Sequence, residues 1–290
     1  MGKATLSVKA PAKLNLFLHV TGRRVNGYHE LQSLFTLIDL TDTLHFTVRD
    51  DGLIRRTNEI VGLPAEDDLV VRAAKLLQQS TGTSLGVDIS VEKVIPSGGG
   101  LGGGSSDAAT TLMTLNSLWG IGLSQHKLIE LGMQLGADVP FFIFGQTAIA
   151  TGIGEQLKAF PLRPVYYLIL RPNLAIPTPL IFKDEGLVRN SPVLGDMVLR
   201  EGRAQWEQAK FFARNDLEPV ALRLFPALAN LINDLKEAGF AFRMTGSGSC
   251  FFMPFLSLEG VEATKQAVEQ WLIEHKPSLS VEQLLVAKGL

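Results

Sequence analysis

VDISVEKVIPSGGGLGGGSSDAA, residues 87–109, decides the reading of the fold. Its first eight residues alternate apolar and polar side chains, the period of a strand with one face buried. Six glycines then occupy the seven positions 98–104. From Asp107 the period changes: Ala108, Leu112, Leu115 and Trp119 fall on one helical stripe, with Ala109 and Met113 beside it. Ser105 or Ser106 is expected to cap that helix. A strand, a glycine run and a helix in this order place unhindered N–H groups at a helix N-terminus, a site suited to phosphate. A tight turn would need one or two glycines, not six. Walker A is excluded because no lysine follows the glycines. Gly98, Gly100 and Gly103 match the dinucleotide spacing formally, yet a second helix follows where that fold needs a strand and an acid. The H-R-D and D-F-G signatures of protein kinases are absent from the chain. There remains a loop that cradles a triphosphate directly.

Outward from this loop, residues 11–19, PAKLNLFLH, alternate again, so Lys13 and Asn15 share one face of a strand. A helix is expected from about Ser124 to Leu135, and the apolar stretch Val139–Phe144 reads as a buried strand. Then follow a VYYLIL strand, a proline-rich loop over 175–184, and helices between about 196 and 238. Strands around 240–255, broken by TGSGSC, a helix near 259–275 and a final strand close the chain. This irregular mixture favours α+β over a doubly wound sheet. With 290 residues, about two domains are expected, 1–155 and 156–290.

Composition narrows the function classes. Hydrophobic residues are 46% and charged residues 19%, ample for a packed core and incompatible with disorder. Lys+Arg 27 against Asp+Glu 29 gives a net charge of −2, which speaks against nucleic acid as a partner. No apolar run approaches the ~20 residues that span a bilayer, so no membrane association is expected. The N-terminus lacks an apolar signal segment, and Gly2 lacks the Ser/Thr expected for myristoylation, where Leu6 stands. A single cysteine, Cys250, agrees with a reducing, cytoplasmic setting. Its expected place is in the core. The five histidines (19, 29, 45, 126, 275) show no metal-ligand spacing.

PSGGGLGGGSSDAA (96–109) resembles the phosphate loop of the GHMP small-molecule kinases. PAKLNLFLHVTGRRVNGYHELQSLF, LGADVPFFIFG, IPTPLIFKD and MTGSGSC occur around it in the family's order, so the resemblance covers the whole chain. It implies a ribosomal-protein-S5-like N-terminal domain and a ferredoxin-like C-terminal domain. It also implies ATP with Mg²⁺, held by Pro96, Ser97, Gly98, Gly99, Gly100, Leu101, Gly102, Gly103, Gly104, Ser105 and Ser106, and a third motif, residues 245–249, closing over the phosphates. In the family the aspartate of GADVP, here Asp138, is the catalytic base; the lysine of PAKLN, here Lys13, pairs with it; and Asn15 contacts the substrate. From the residues alone, Asp138 reads equally well as a turn aspartate and Lys13 as a solvent-facing strand lysine.

The motifs are most similar to the branch whose substrate is cytidine-diphosphate-linked methylerythritol, in the non-mevalonate isoprenoid pathway. The resemblance then implies that Tyr28, His29 and Phe182 hold the cytosine and that the 2-hydroxyl is phosphorylated. A monomer or weak homodimer is expected. Asp68 and Asp107 depart from the asparagines frequent in that branch, so adenine contacts are not carried over to Asp68. Three other readings stand beside this one: a GHMP kinase for a sugar, homoserine or mevalonate-type alcohol; a nucleotide-binding regulator without catalysis; and an NAD-dependent oxidoreductase.

Overall fold

The computed structural model describes residues 5–290, so Gly2 lies outside the described residues. The strands are β1 (Thr5–Arg23), β2 (His29–Arg49), β3 (Ile54–Arg56), β4 (Gly86–Glu92), β5 (Ala148–Gly152), β6 (Gln156–Ala159), β7 (Tyr166–Pro172), β8 (Arg243–Met244), β9 (Phe251–Phe255) and β10 (Val281–Lys288). The helices are α1 (Leu69–Thr81), α2 (Gly103–Leu118), α3 (Gln125–Gly132), α4 (Val139–Phe144), α5 (Thr178–Lys183), α6 (Asp196–Trp206), α7 (Glu218–Leu224), α8 (Pro226–Glu237) and α9 (Leu258–His275). The mixture is α+β, as expected from the sequence.

The chain forms two compact units and crosses between them after Ala12, Asp39, Ile95, Leu101 and Gln146. The expected boundary at 155/156 falls between β5 and the start of β6, within the second unit.

In the first unit the C-terminal half of β2 pairs antiparallel with β4, from Thr43 opposite Glu92 to Arg49 opposite Gly86. β3 lies parallel on the other edge of β4. α2 packs against α1 and α4. Leu44, Phe46, Val70, Leu77, Ile89, Leu112, Leu115 and Phe141 are removed from water almost completely.

Val139–Phe144 is a helix, not the expected strand. Pro140 sits in its first turn, where a missing N–H costs nothing, and Gly145 closes it in the left-handed conformation at φ 74°. α2 also starts earlier than its apolar stripe indicated. Its cap is Gly102 at φ 74°, and Ser105 and Ser106 lie inside the helix rather than capping it.

In the second unit the N-terminal half of β2 pairs with β5, and β5 with β6. A second sheet runs β10-β7-β9-β8, all antiparallel. Leu168, Leu170, Leu228, Leu235, Met244, Phe251, Val261 and Val268 form its buried core. The proline-rich loop over 175–184 contains the short helix α5.

Candidate active site

The glycine run divides between the two units at Leu101. Its first half, Pro96–Leu101, is held by backbone bonds: Lys13 N donates to Leu101 O at 3.0 Å and Cys250 N to Gly99 O at 3.2 Å. A side chain at Gly100 is excluded twice over. The residue sits at φ 76°, and a Cβ there would lie 2.4 Å from the Thr245 carbonyl oxygen. Gly99 has ordinary backbone angles, but a Cβ would meet the Cys250 sulfur at 2.5 Å. Cys250 is therefore a wall of the loop. Burial pushes its thiol up to about 12, which removes it as a nucleophile.

The second half, Gly102–Ser106, opens α2. Ser106 N already donates to Gly102 O at 2.9 Å, so the N–H groups of Gly103, Gly104 and Ser105 are those a helix start leaves for an anion. Ser106 Oγ is committed to the Pro11 carbonyl at 2.6 Å. Ser105 is half-buried, and a Cβ on Gly136 would lie 3.7 Å from its Oγ. The loop leading to Asp138 thus lies against the start of α2. Asp138 is the residue before α4, half-buried, and its side chain does not cap that helix.

Sequence reasoning missed the cluster beneath this helix start. Lys93 Nζ donates to Asp107 Oδ2 at 2.7 Å and to Asp42, whose other oxygen accepts from Val94 N and Ile95 N at 2.6 and 2.8 Å. A Cβ on Gly103 would come within 3.3 Å of Lys93 Nζ and 3.0 Å of Ile95 Cγ2. One ammonium thus serves two buried carboxylates. Burial, aided by Asp42 and opposed by Lys93, pushes Asp107 up to about 7. For Lys93, burial works against the charge, and the two carboxylates outweigh it and raise its pKa. Asp68 is occupied elsewhere. It caps α1 through Val70 N at 3.0 Å and pairs with the buried Arg56 guanidinium at 2.7 Å.

In the second unit, the reading of Lys13 as a solvent-facing lysine does not hold, because only 3% of it is exposed. Its Nζ donates to Asn15 Oδ1 at 2.5 Å and lies 5.3 Å from the centre of the Phe35 ring. Asn15 continues the chain of bonds through Ser33 Oγ at 2.9 Å, and its backbone N donates to Thr245 Oγ1 at 2.9 Å. The alternation that predicts one polar face is there, but both faces are covered.

His29 and Phe182 are brought together, with ring centres 5.0 Å apart and planes inclined by 34°. Arg189 Nε donates to His29 Nε2 at 3.1 Å, so that nitrogen is the acceptor and the imidazole is neutral. Burial, then Arg189 and Arg23, lower its pKa. Arg189 also donates to the carbonyls of Phe182 and Asp184, tying the ring pair to the end of α5. Tyr28 stands on an exposed turn, 60% open to solvent. Among the described residues no three His, Cys, Asp or Glu side chains are grouped to hold a metal, and no helix is long and apolar enough to cross a membrane.

Comparison with known proteins places these features in context. Residues 68–146 match the GHMP kinases N terminal domain and residues 201–274 the GHMP kinases C terminal domain. Over 268 residues the chain is 54% identical to 4-diphosphocytidyl-2-C-methyl-D-erythritol kinase of Herminiimonas arsenicoxydans, covering 90% of this chain and 91% of that one. A crystal structure of 4-(cytidine 5'-diphospho)-2C-methyl-D-erythritol kinase superposes with a TM-score of 0.80 at 35% identity, over 98% of this chain and 99% of the other. Homoserine kinase from Cytophaga hutchinsonii shares the fold, with a TM-score of 0.72, 18% identity, and coverage of 98% and 95%.

Proposed function

Because this chain belongs to the 4-diphosphocytidyl-2-C-methyl-D-erythritol kinases of the GHMP kinase family, we propose a mechanism in which its own residues transfer phosphate from ATP to the 2-hydroxyl of that substrate. The products are the 2-phosphate and ADP, a step of the non-mevalonate isoprenoid pathway. The observation that supports this most is the glycine run itself: left-handed glycines at 98, 100 and 102, followed by the open N–H groups of α2. Phosphoryl transfer is catalysed mainly by positioning and charge stabilisation, which such a cradle supplies.

In this proposal residues Pro96–Ser106 bind the phosphates. Asp138 receives or orients the proton of the 2-hydroxyl, and Lys13 supplies the positive charge that the family pairs with its base. Asn15 contacts the acceptor, while Tyr28, His29 and Phe182 hold the cytosine. A neutral His29, with Nε2 turned to Arg189, has its Nδ1–H to offer a base edge, and the Phe182 face suits stacking. The glycine run that binds ATP lies within residues 1–155, and residues 156–290 supply Phe182 and the 245–249 turn.

Magnesium commonly keeps its waters and phosphate oxygens and takes one or two protein oxygens. The half-buried Ser105 hydroxyl at the start of α2 fits that need, and among the described residues no three His, Cys, Asp or Glu side chains are grouped to hold the ion. When bound, the ion neutralises phosphate charge. The proposal places the enzyme in the cytoplasm, as a monomer or weak homodimer.

ADP release measured across a panel of acceptors tests the reading. The cytidyl substrate is expected to give a kcat/KM at least a hundredfold above homoserine, mevalonate or galactose. Comparable turnover of any of these would overturn it.

A further inference from the structure

We propose that Asn215, which none of the sequence motifs above includes, is a positioning residue for the ATP site, acting through the 245–249 turn. The inference rests on the kinase reading and adds to it the part that sets the spacing of the phosphate loop.

The turn bears directly on the first half of the glycine run. The Thr245 carbonyl faces Gly100, and Gly246, at φ 57°, is so close that a Cβ there would lie 3.2 Å from the Gly100 oxygen. Displacement of the turn therefore displaces Gly100. Asn215 holds the turn from its other side. Its amide Nδ2 donates to Met244 O at 2.9 Å and to Gly246 O at 2.8 Å. Its Oδ1 accepts from Leu217 N at 2.9 Å. Both N–H donors and the carbonyl are thus used, in a side chain only 3% exposed.

Asn215 is itself anchored. Leu18 N donates to Arg214 O at 3.0 Å and Asp216 N to Leu18 O at 2.8 Å, which stitches the segment to β1. The Asp216 carboxylate extends the seam, accepting from Val20 N at 2.8 Å and Ser191 Oγ at 2.6 Å. β1 is also the strand of Lys13 and Asn15, and Asn15 N reaches Thr245 Oγ1 directly. One strand thereby supports the turn twice, once through Asn15 and once through Asn215. Helix α7 begins three residues beyond Asn215 and adds a further bond, from Met244 N to Glu218 Oε2 at 2.8 Å.

Only an amide satisfies this place. Two carbonyls converge on one nitrogen, and an aspartate would turn an acceptor toward both. The test compares Asn215→Asp with Leu235→Ala, a core truncation on α8 in the same unit that removes none of the hydrogen bonds that hold the turn. ATP affinity is read by calorimetry without acceptor, and KM and kcat by ADP release. Losing two buried hydrogen bonds is expected to weaken ATP binding and raise its KM by about tenfold. KM for the cytidyl substrate should stay within about twofold, and Leu235→Ala should leave ATP affinity within about twofold at a similar loss in Tm. If the aspartate variant does not fold, Asn215→Ser, which adds no charge, gives the same reading. Unchanged ATP affinity in a folded Asn215 variant, or an equal loss in Leu235→Ala, overturns the inference. Failure of wild-type protein to bind ATP would instead overturn the kinase reading.

Discussion

Gly98 and Gly100 offer a controlled comparison within one loop. Both have positive φ, 69° and 76°, so an alanine at either costs about 1–2 kcal/mol of conformational energy. Their surroundings differ. Nothing lies within 4 Å of a Cβ at Gly98, whereas a Cβ at Gly100 meets Thr245 O at 2.4 Å and Gly248 O at 3.2 Å. Relief to an ordinary carbon–oxygen separation of ~3.3 Å requires a shift of about 1 Å. The obstructing oxygen is backbone, fixed by a bond from Gly248 N at 3.0 Å, so the loop must move instead. Overpacking of this kind adds about 1–3 kcal/mol. Gly98→Ala should therefore lose about 1–2 kcal/mol in urea denaturation, and Gly100→Ala about 2–5 kcal/mol. Because only the second change displaces the phosphate loop, it alone should lower kcat/KM for ATP by more than about tenfold, measured by ADP release at saturating acceptor. Equal losses of stability and of kcat/KM in the two variants would refute the claim that Gly100 is held against the turn.

Other substitutions address the chemistry and the acceptor. Asp138→Asn, nearly isosteric, should lower kcat by about 10²–10⁴ with KM for ATP little changed, and full activity would remove Asp138 as the base. Lys13→Met should also be severe, and the double variant should lose less than the product of the two single losses; a fully multiplicative loss would separate their roles. Phe182→Ala should raise KM for the cytidyl substrate by the equivalent of about 1–3 kcal/mol, the scale of base–aromatic stacking, while KM for ATP stays put. An equal rise in both would point to a folding defect. The Asp107 cluster predicts a pH effect on stability. Its carboxyl pKa is raised in the folded protein to about 7 from an ordinary 3.8, so the native state binds the extra proton. Stability should fall as pH rises from about 4 to 7 and level off above. Asp107→Asn, which leaves Lys93 paired with Asp42 alone, should flatten that slope in urea melts taken across the range. An unchanged slope would assign it to other groups.

The strand, glycine run and helix were legible because each has its own period, and the glycines are demanded by local geometry that sequence displays directly. Positive φ accounts for Gly98, Gly100 and Gly102. Gly99 is required by a neighbour far away in sequence, Cys250, which no local pattern announces, while a Cβ at Gly103 would crowd the Ile95 side chain. The short apolar run Val139–Phe144 reads as a strand and folds as a helix because six apolar residues fit a buried strand and a buried helix alike. Pro140 in a first turn and Gly145 just past the end were the usable signals. Lys13 was hidden by its alternation with apolar residues, which records a strand but not whether its second face is covered. The bonds that group Asp42, Lys93 and Asp107, and the grip of Asn215 on the turn, join positions from 14 to 51 residues apart and leave no periodic trace.

The most direct measurement of the central claim is ³¹P NMR of the products after incubation with ATP, magnesium and 4-diphosphocytidyl-2-C-methyl-D-erythritol. The account predicts ADP and one new phosphomonoester resonance in equal amounts, coupled to the branched carbon that bears the 2-hydroxyl, with the cytidyl diphosphate intact. ADP and free inorganic phosphate without that resonance, or a phosphate placed on another hydroxyl, would contradict it.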